Sequence, residues 1–210
     1  MKGRISGLYA VTPDIADTSD LLTRTEAALA GGARLLQYRN KSASAALRLV
    51  QARALLALCW EYQVPLIIND HLDLARALDA DGLHLGVEDG SLAAAREQLG
   101  PGKILGASCY DRIENAHEAV RRGADYVAFG SFFPSSVKPG AVRASLDLLR
   151  EAKQRLTLPV VAIGGISAEN APQLIAAGAD GVAVISALFD ADDVKLAARR
   201  LSALFPRPGK

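Results

Sequence analysis

Cysteine is scarce in this chain, with only Cys59 and Cys109 present. Their separation fits neither a thiolate metal site nor a disulfide framework. Charge of one sign is not in excess either: 24 Lys and Arg stand against 23 Asp and Glu, a net charge of +1. Nucleic-acid binding usually leaves a basic footprint, and this balance offers none. It still permits a local basic patch for a small phosphorylated ligand. Long apolar runs are missing too. No stretch approaches the roughly 20 residues of a membrane span, and Met1-Lys2-Gly3-Arg4-Ile5 lacks the apolar segment of a secretory signal. The expectation is a cytoplasmic protein that works without nucleic acid or membrane.

Apolar residues, by contrast, make up half of the 210 positions. That is enough for a sizeable core in one compact domain. Short β-branched or apolar runs at 5–11, 34–39, 65–69, 81–86, 103–108, 125–130, 159–164 and 181–186 read as strands. Segments with helical periodicity lie between them, as at 44–62 and 114–122, and another follows at 191–204. The joints repeat: Gly31-Gly32-Ala33-Arg34, Ala80-Asp81-Gly82, Gly123-Ala124-Asp125 and Gly178-Ala179-Asp180-Gly181 each precede a strand. A glycine just past a helix readily takes the conformation that ends it. Alternating strands and helices imply a parallel sheet with right-handed crossovers. Eight such units predict a single-domain (β/α)8 TIM barrel over residues 1–210, close to the fold's lower limit of about 200 residues. A doubly wound open sheet is the structural alternative.

Polar residues gather at the carboxyl ends of these strands, where barrels place their active sites. In the second strand Gln37, Arg39 and Lys41 share a face, while Leu36 and Tyr38 point to the helices. An amide, a planar guanidinium fork and a mobile ammonium suit a diphosphate; a frayed end with solvated charges is the plainer reading. Asp70 follows the third strand and Asp89 the fourth. Such carboxylates suit Mg²⁺, which takes one or two of them plus waters and substrate phosphates. Asp70 has the alternative of capping the next helix. His84 faces inward between Leu83 and Leu85, as a hydrogen-bonded core histidine would, and the sequence alone points to no role for His71 and His117. Ser108 ends the fifth strand. The stretch Ser131–Gly140 is a loop rich in small and polar residues, suited to an active site or to a surface turn. Gly164-Gly165 after the seventh strand and Ile185-Ser186 after the eighth make a second, amide-lined anion site.

These residues resemble the thiamine-phosphate synthase family along almost the whole chain. The resemblance is carried by Gln37-x-Arg39-x-Lys41, Ile68-Asn69-Asp70, Ala80-Asp81-Gly82-x-His84-Leu85-Gly86-x-x-Asp89 and Gly106-x-Ser108. It continues through Gly123-Ala124-Asp125-Tyr126, Phe129-Gly130, Pro134-Ser135-x-x-Lys138, Ala162-Ile163-Gly164-Gly165-Ile166 and Val184-Ile185-Ser186. It implies an Mg²⁺-dependent transferase that joins a pyrimidine diphosphate to a thiazole phosphate by dissociative substitution and releases pyrophosphate. Gln37, Arg39, Lys41, Asn69 and Lys138 would hold the pyrimidine diphosphate, and Asp70 and Asp89 the metal. Ser108 would meet the pyrophosphate. Ser135, Gly165, Ile185 and Ser186 would bind the thiazole phosphate, and Tyr9, at the end of strand one, would lie near the pyrimidine. Ser108, Lys138, Arg39 and Lys41 would carry the catalysis. A homodimer is compatible with the resemblance. Asn40, Val87 and Val137 depart from the family's frequent Glu, Gln and Thr. The alternatives are a thiazole tautomerase on the same barrel, with His84 moving a proton, and a catalytically silent thiamine-precursor binding protein.

Overall fold

A computed structural model of the chain describes residues 5–86, 90–134 and 143–206. The apolar runs form eight strands: β1 (Gly7–Val11), β2 (Leu35–Tyr38), β3 (Leu66–Asn69), β4 (Gly82–Leu85), β5 (Ile104–Tyr110), β6 (Tyr126–Phe129), β7 (Val160–Ile163) and β8 (Gly181–Val184). Between them run α1 (Thr18–Ala30), α2 (Ala45–Tyr62), α3 (Leu72–Ala77), α4 (Leu92–Leu99), α5 (Ile113–Arg121), α6 (Leu146–Arg155) and α7 (Ala171–Ala176). After β8 come α8 (Ser186–Phe189) and α9 (Val194–Ser202). Several helices start where a side chain takes up an unpaired amide at the first turn. Asp17, Ser44, Ser91, Ser145 and Asp193 each accept from the backbone N–H three residues on.

Every strand lies parallel to its neighbours, and β1 pairs with β8, so the sheet closes and the open doubly wound alternative is excluded. Alternation sorts the side chains. Tyr9, Leu35, Ile67, Ile104, Tyr126, Val161 and Ala183 fill the barrel interior. Leu36, Ile68, Leu83, Leu105, Val127 and Val182 pack outward among the helices. Both cysteines are buried with free thiols.

The repeated joints have a structural role at the amino ends of the strands. Asp81 Oδ2 accepts from Leu66 N at 2.9 Å, Asp125 Oδ2 from Leu105 N at 2.9 Å, and Asp180 Oδ2 from Val160 N at 2.8 Å. Each carboxylate thus satisfies an amide in the first two residues of the preceding strand and ties two strands together. Arg96 pairs with Asp125 and Lys153 with Asp180. At the fourth joint Arg34 takes the same place but donates to Pro206 O, at 2.8 Å.

Two features differ from the sequence expectation. β5 continues two residues past Ser108, with a register shift against β6 between Ser108 and Tyr110. The region after β8 is two helices, because the short α8 precedes the long periodic segment. Among the described residues, no helix is long and apolar enough to cross a membrane.

Candidate active site

The inward positions of β1 to β6 are polar just below the carboxyl-end mouth. Gln37 on β2, His84 on β4 and Tyr126 on β6 are nearly or fully buried, and Asn69 and Ser108 partly so. Gln37 Nε2 donates to Tyr9 Oη at 2.8 Å, and Tyr9 Oη lies 2.8 Å from Tyr126 Oη. His84 Nδ1 is 2.8 Å from Tyr126 Oη, and Nε2 is 2.9 Å from Ser108 Oγ. Burial pushes the Tyr9 and Tyr126 phenols well above their ordinary range, so both keep their protons. Tyr9 stands mid-strand in β1 and not at its end, because the strand continues to Val11. It meets the site through Gln37 and Tyr126.

Above this layer, the β2 end carries the cations. Arg39 Nη1 donates to Asp14 Oδ1 at 3.1 Å, and the same oxygen accepts from Lys41 N at 3.0 Å. Thr12 accepts from Arg39 N and donates to Arg39 O, both at 2.8 Å. The loop following β1 therefore shapes the cationic end of β2. Neither Asp14 nor Thr12 signalled this role in sequence, because the contact joins residues 25 and 27 positions apart. Lys41 itself is exposed. Asn40, buried to 4%, donates to Ile15 O and accepts from Ala43 N, which folds the turn into α2.

Asp70 follows β3 with a left-handed φ of 62°, and Asn69 Nδ2 donates to its Oδ2 at 2.6 Å. The N-cap position of α3 belongs to His71, with no side-chain capping bond. The capping alternative for Asp70 is thereby set aside. Its carboxylate, which accepts from Asn69 Nδ2, is an oxygen donor of the kind a hard divalent cation takes. Among the described residues no group of three or more acidic, His or Cys side chains is gathered for a metal.

The opposite side of the mouth is made of backbone. Gly164 and Gly165 have φ of 104° and 63°, which glycine adopts without strain. Phe133 N donates to Gly164 O at 3.0 Å, and Asn170 Nδ2 to Gly165 O at 2.9 Å. A pocket opens there between Pro134, Gly165, Ile185, Ser186 and Ala187. Ser186 begins α8, so the short extra helix unforeseen in the sequence aims its amino end at this pocket. Barrels commonly bind phosphate with such a helix and the loops after strands seven and eight.

Residues 8–188 match the family model described as thiamine monophosphate synthase. The chain belongs to the thiamine monophosphate synthase family. It is 58% identical over 201 residues to the thiamine-phosphate synthase of Methylobacillus flagellatus, covering 96% of each chain. That of Nitrosomonas eutropha is 54% identical over 202 residues, with 96% of this chain and 95% of the relative covered. Among solved structures, thiamine phosphate pyrophosphorylase from Pyrococcus furiosus superposes with a TM-score of 0.85 at 37% identity, covering 94% of both chains.

The residues that the sequence assigns to this family's site separate into four groups. Tyr9, Gln37 and Ser108 share the buried network, and Arg39, Lys41, Asn69 and Asp70 stand at the ends of β2 and β3. Gly165, Ile185 and Ser186 line the pocket across the mouth. Asp89, Ser135 and Lys138 lie outside the described residues. Tyr126 was recognised only as part of a family motif. Its position as the hub between Tyr9 and His84 had one sequence signal, the inward alternation of β6.

Proposed function

We propose that the chain is a thiamine-phosphate synthase, a transferase that condenses hydroxymethylpyrimidine diphosphate with hydroxyethylthiazole phosphate. The observation that carries this reading is the pairing, in a member of this family, of a cationic end and a backbone-lined end across one barrel mouth. Arg39 and Lys41 bring charge at β2, and Gly165 and Ser186 bring backbone at β7 and β8. The proposed setting is the cytoplasm, on the sequence expectation alone.

In this reading Gln37 and Asn69 orient the pyrimidine, and Arg39 leaves Asp14 to fork onto the diphosphate. Lys41, Lys138 and Ser108 complete the diphosphate shell. Asp70 and Asp89 would hold Mg²⁺, which when bound supplies positive charge to the diphosphate oxygens. The bond between the pyrimidine's methylene carbon and the diphosphate oxygen breaks, and its electron pair leaves with pyrophosphate. The aminopyrimidine ring feeds electrons to the methylene cation, and the thiazole nitrogen lone pair forms the new C–N bond. Ser135, Gly165, Ile185 and Ser186 keep the thiazole phosphate in line for that attack. Preorganised charge is the principal lever, and no strong general base is needed.

The test mixes both phosphorylated precursors with Mg²⁺ and follows thiamine phosphate and pyrophosphate. Both should appear in equal amounts, EDTA should stop the reaction, and added Mg²⁺ should restore it. Lys138→Ala should lower kcat by about a hundred- to a thousandfold, the usual loss for one preorganised electrostatic group. A tautomerase has no pyrophosphate to expel, and its rate would barely respond. Turnover in excess EDTA would remove the metal from the reading, and undiminished kcat in Lys138→Ala would remove that residue.

A further inference from the structure

The buried chain Gln37–Tyr9–Tyr126–His84–Ser108 lies beneath the mouth, and the diphosphate reading uses only its two ends. Its four links measure 2.8, 2.8, 2.8 and 2.9 Å. Tyr126 is fully buried, and Tyr9, Gln37 and His84 are 3%, 5% and 6% exposed. Within such a closed path, each hydroxyl has one proton to place.

The amide nitrogen of Gln37 donates and cannot accept, so Tyr9 Oη accepts there. The Tyr9 proton then goes to Tyr126 Oη, its other neighbour at hydrogen-bond distance. Tyr126 must place its own proton on His84 Nδ1. Neutral imidazole with an accepting Nδ1 carries its proton on Nε2, and that N–H points at Ser108 Oγ. The Ser108 oxygen is thereby an acceptor towards His84, and its own O–H turns away. The stacking of His84 on Tyr126, 30° between planes at 5.5 Å, holds the imidazole in this orientation.

We propose that His84 is a positioning residue: held in its Nε2–H tautomer by Tyr126, it orients the Ser108 hydroxyl as a donor to the anion at the barrel mouth. The inference rests on the reading that Ser108 meets pyrophosphate. The reverse order, with Nδ1–H donating to Tyr126 and Ser108 donating to Nε2, would present serine lone pairs to the anion and repel it.

Two measurements test this. The first is nitrogen-15 NMR of the full chain labelled at histidine, with the His84 signals assigned by their loss in His84→Gln. The expected result is a protonated Nε2 and an accepting Nδ1 in the ligand-free protein; a protonated Nδ1 overturns the proposal. The second is titration with inorganic pyrophosphate and Mg²⁺. His84→Leu should weaken binding about tenfold, the scale of one lost hydrogen bond. His84→Gln, whose amide can still donate towards Ser108, should recover most of that loss. In a Ser108→Ala background, His84→Leu should cost nothing more. Independent, multiplying losses would overturn the positioning role. Both measurements stand apart from turnover, so a chain that makes no thiamine phosphate would fail the functional reading while these results still decide the inference.

Discussion

An added Cβ at Gly106 would stand 2.1 Å from Cζ of Tyr126 and 2.3 Å from its hydroxyl oxygen. The Tyr126 ring lies across β5 there, so glycine is required by space and not by a left-handed turn. Tyr126 is fully buried and cannot swing outward. Gly106→Ala should destabilise by about 1–3 kcal/mol, the usual scale of overpacking. It should also disturb the hydrogen bond from Tyr126 to His84. Calorimetry checks this against Gly102→Ala, where nothing lies within 4 Å of the added Cβ. Equal melting temperatures for the two variants would show that the ring relaxes freely. At Gly165 the crowding has a different object. An added Cβ there would meet Pro134 O at 2.2 Å, so a side chain would push the end of the β6 loop as well as any ligand.

The elements divide their labour between the two ends of the barrel. At the amino ends, Asp81, Asp125 and Asp180 close the gaps between neighbouring strands by accepting the first amide of β3 and β7 and the second of β5. Asp180→Ala would leave Val160 N–H without its acceptor and Lys153 without its partner. The expected loss is about 1–3 kcal/mol, read as a Tm drop of roughly 2–4 °C per kcal/mol. Asp180→Asn, which retains an acceptor, should lose less, and kcat should hold in both because the site lies at the other end. A kcat change without a Tm change would contradict this division. The alternation of strands and helices was legible in the sequence, since period two and period 3.6 leave distinct local patterns. So was the inward aim of Gln37 and His84. Asp14, which pairs with Arg39 across 25 positions, left no such trace. Nor did α8, whose four residues are too few to show a period. Gly106 and Tyr126 were visible as motif residues, but their steric dependence on each other needs three-dimensional register. Local periodicity writes itself into a sequence, whereas contacts across a closed sheet do not.

For the molecule as a whole, closing the barrel buries several weak acids with nothing to ionise against. Both cysteine thiols sit outside the barrel wall among apolar neighbours, Cys59 1% and Cys109 0% exposed. Burial pushes each from the ordinary value of 9.0 up to about 12, with Asp81 adding to the rise at Cys59. The Tyr9, Tyr38 and Tyr126 phenols are raised by burial as well. The sign follows from linkage. The folded chain holds these protons at a pH where the unfolded chain has released them, so rising pH favours unfolding. The stabilisation from each thiol is complete below pH 9 and lost as pH climbs towards about 12. Each pH unit in that window costs at most about 1.4 kcal/mol per thiol. Wild type and Cys109→Ala should therefore differ most near neutral pH, where alanine leaves a small cavity. Their difference should shrink, and then reverse, as denaturant unfolding is repeated between pH 9 and 11. Parallel curves over that range would mean that the Cys109 thiol titrates alike in the folded and unfolded chains.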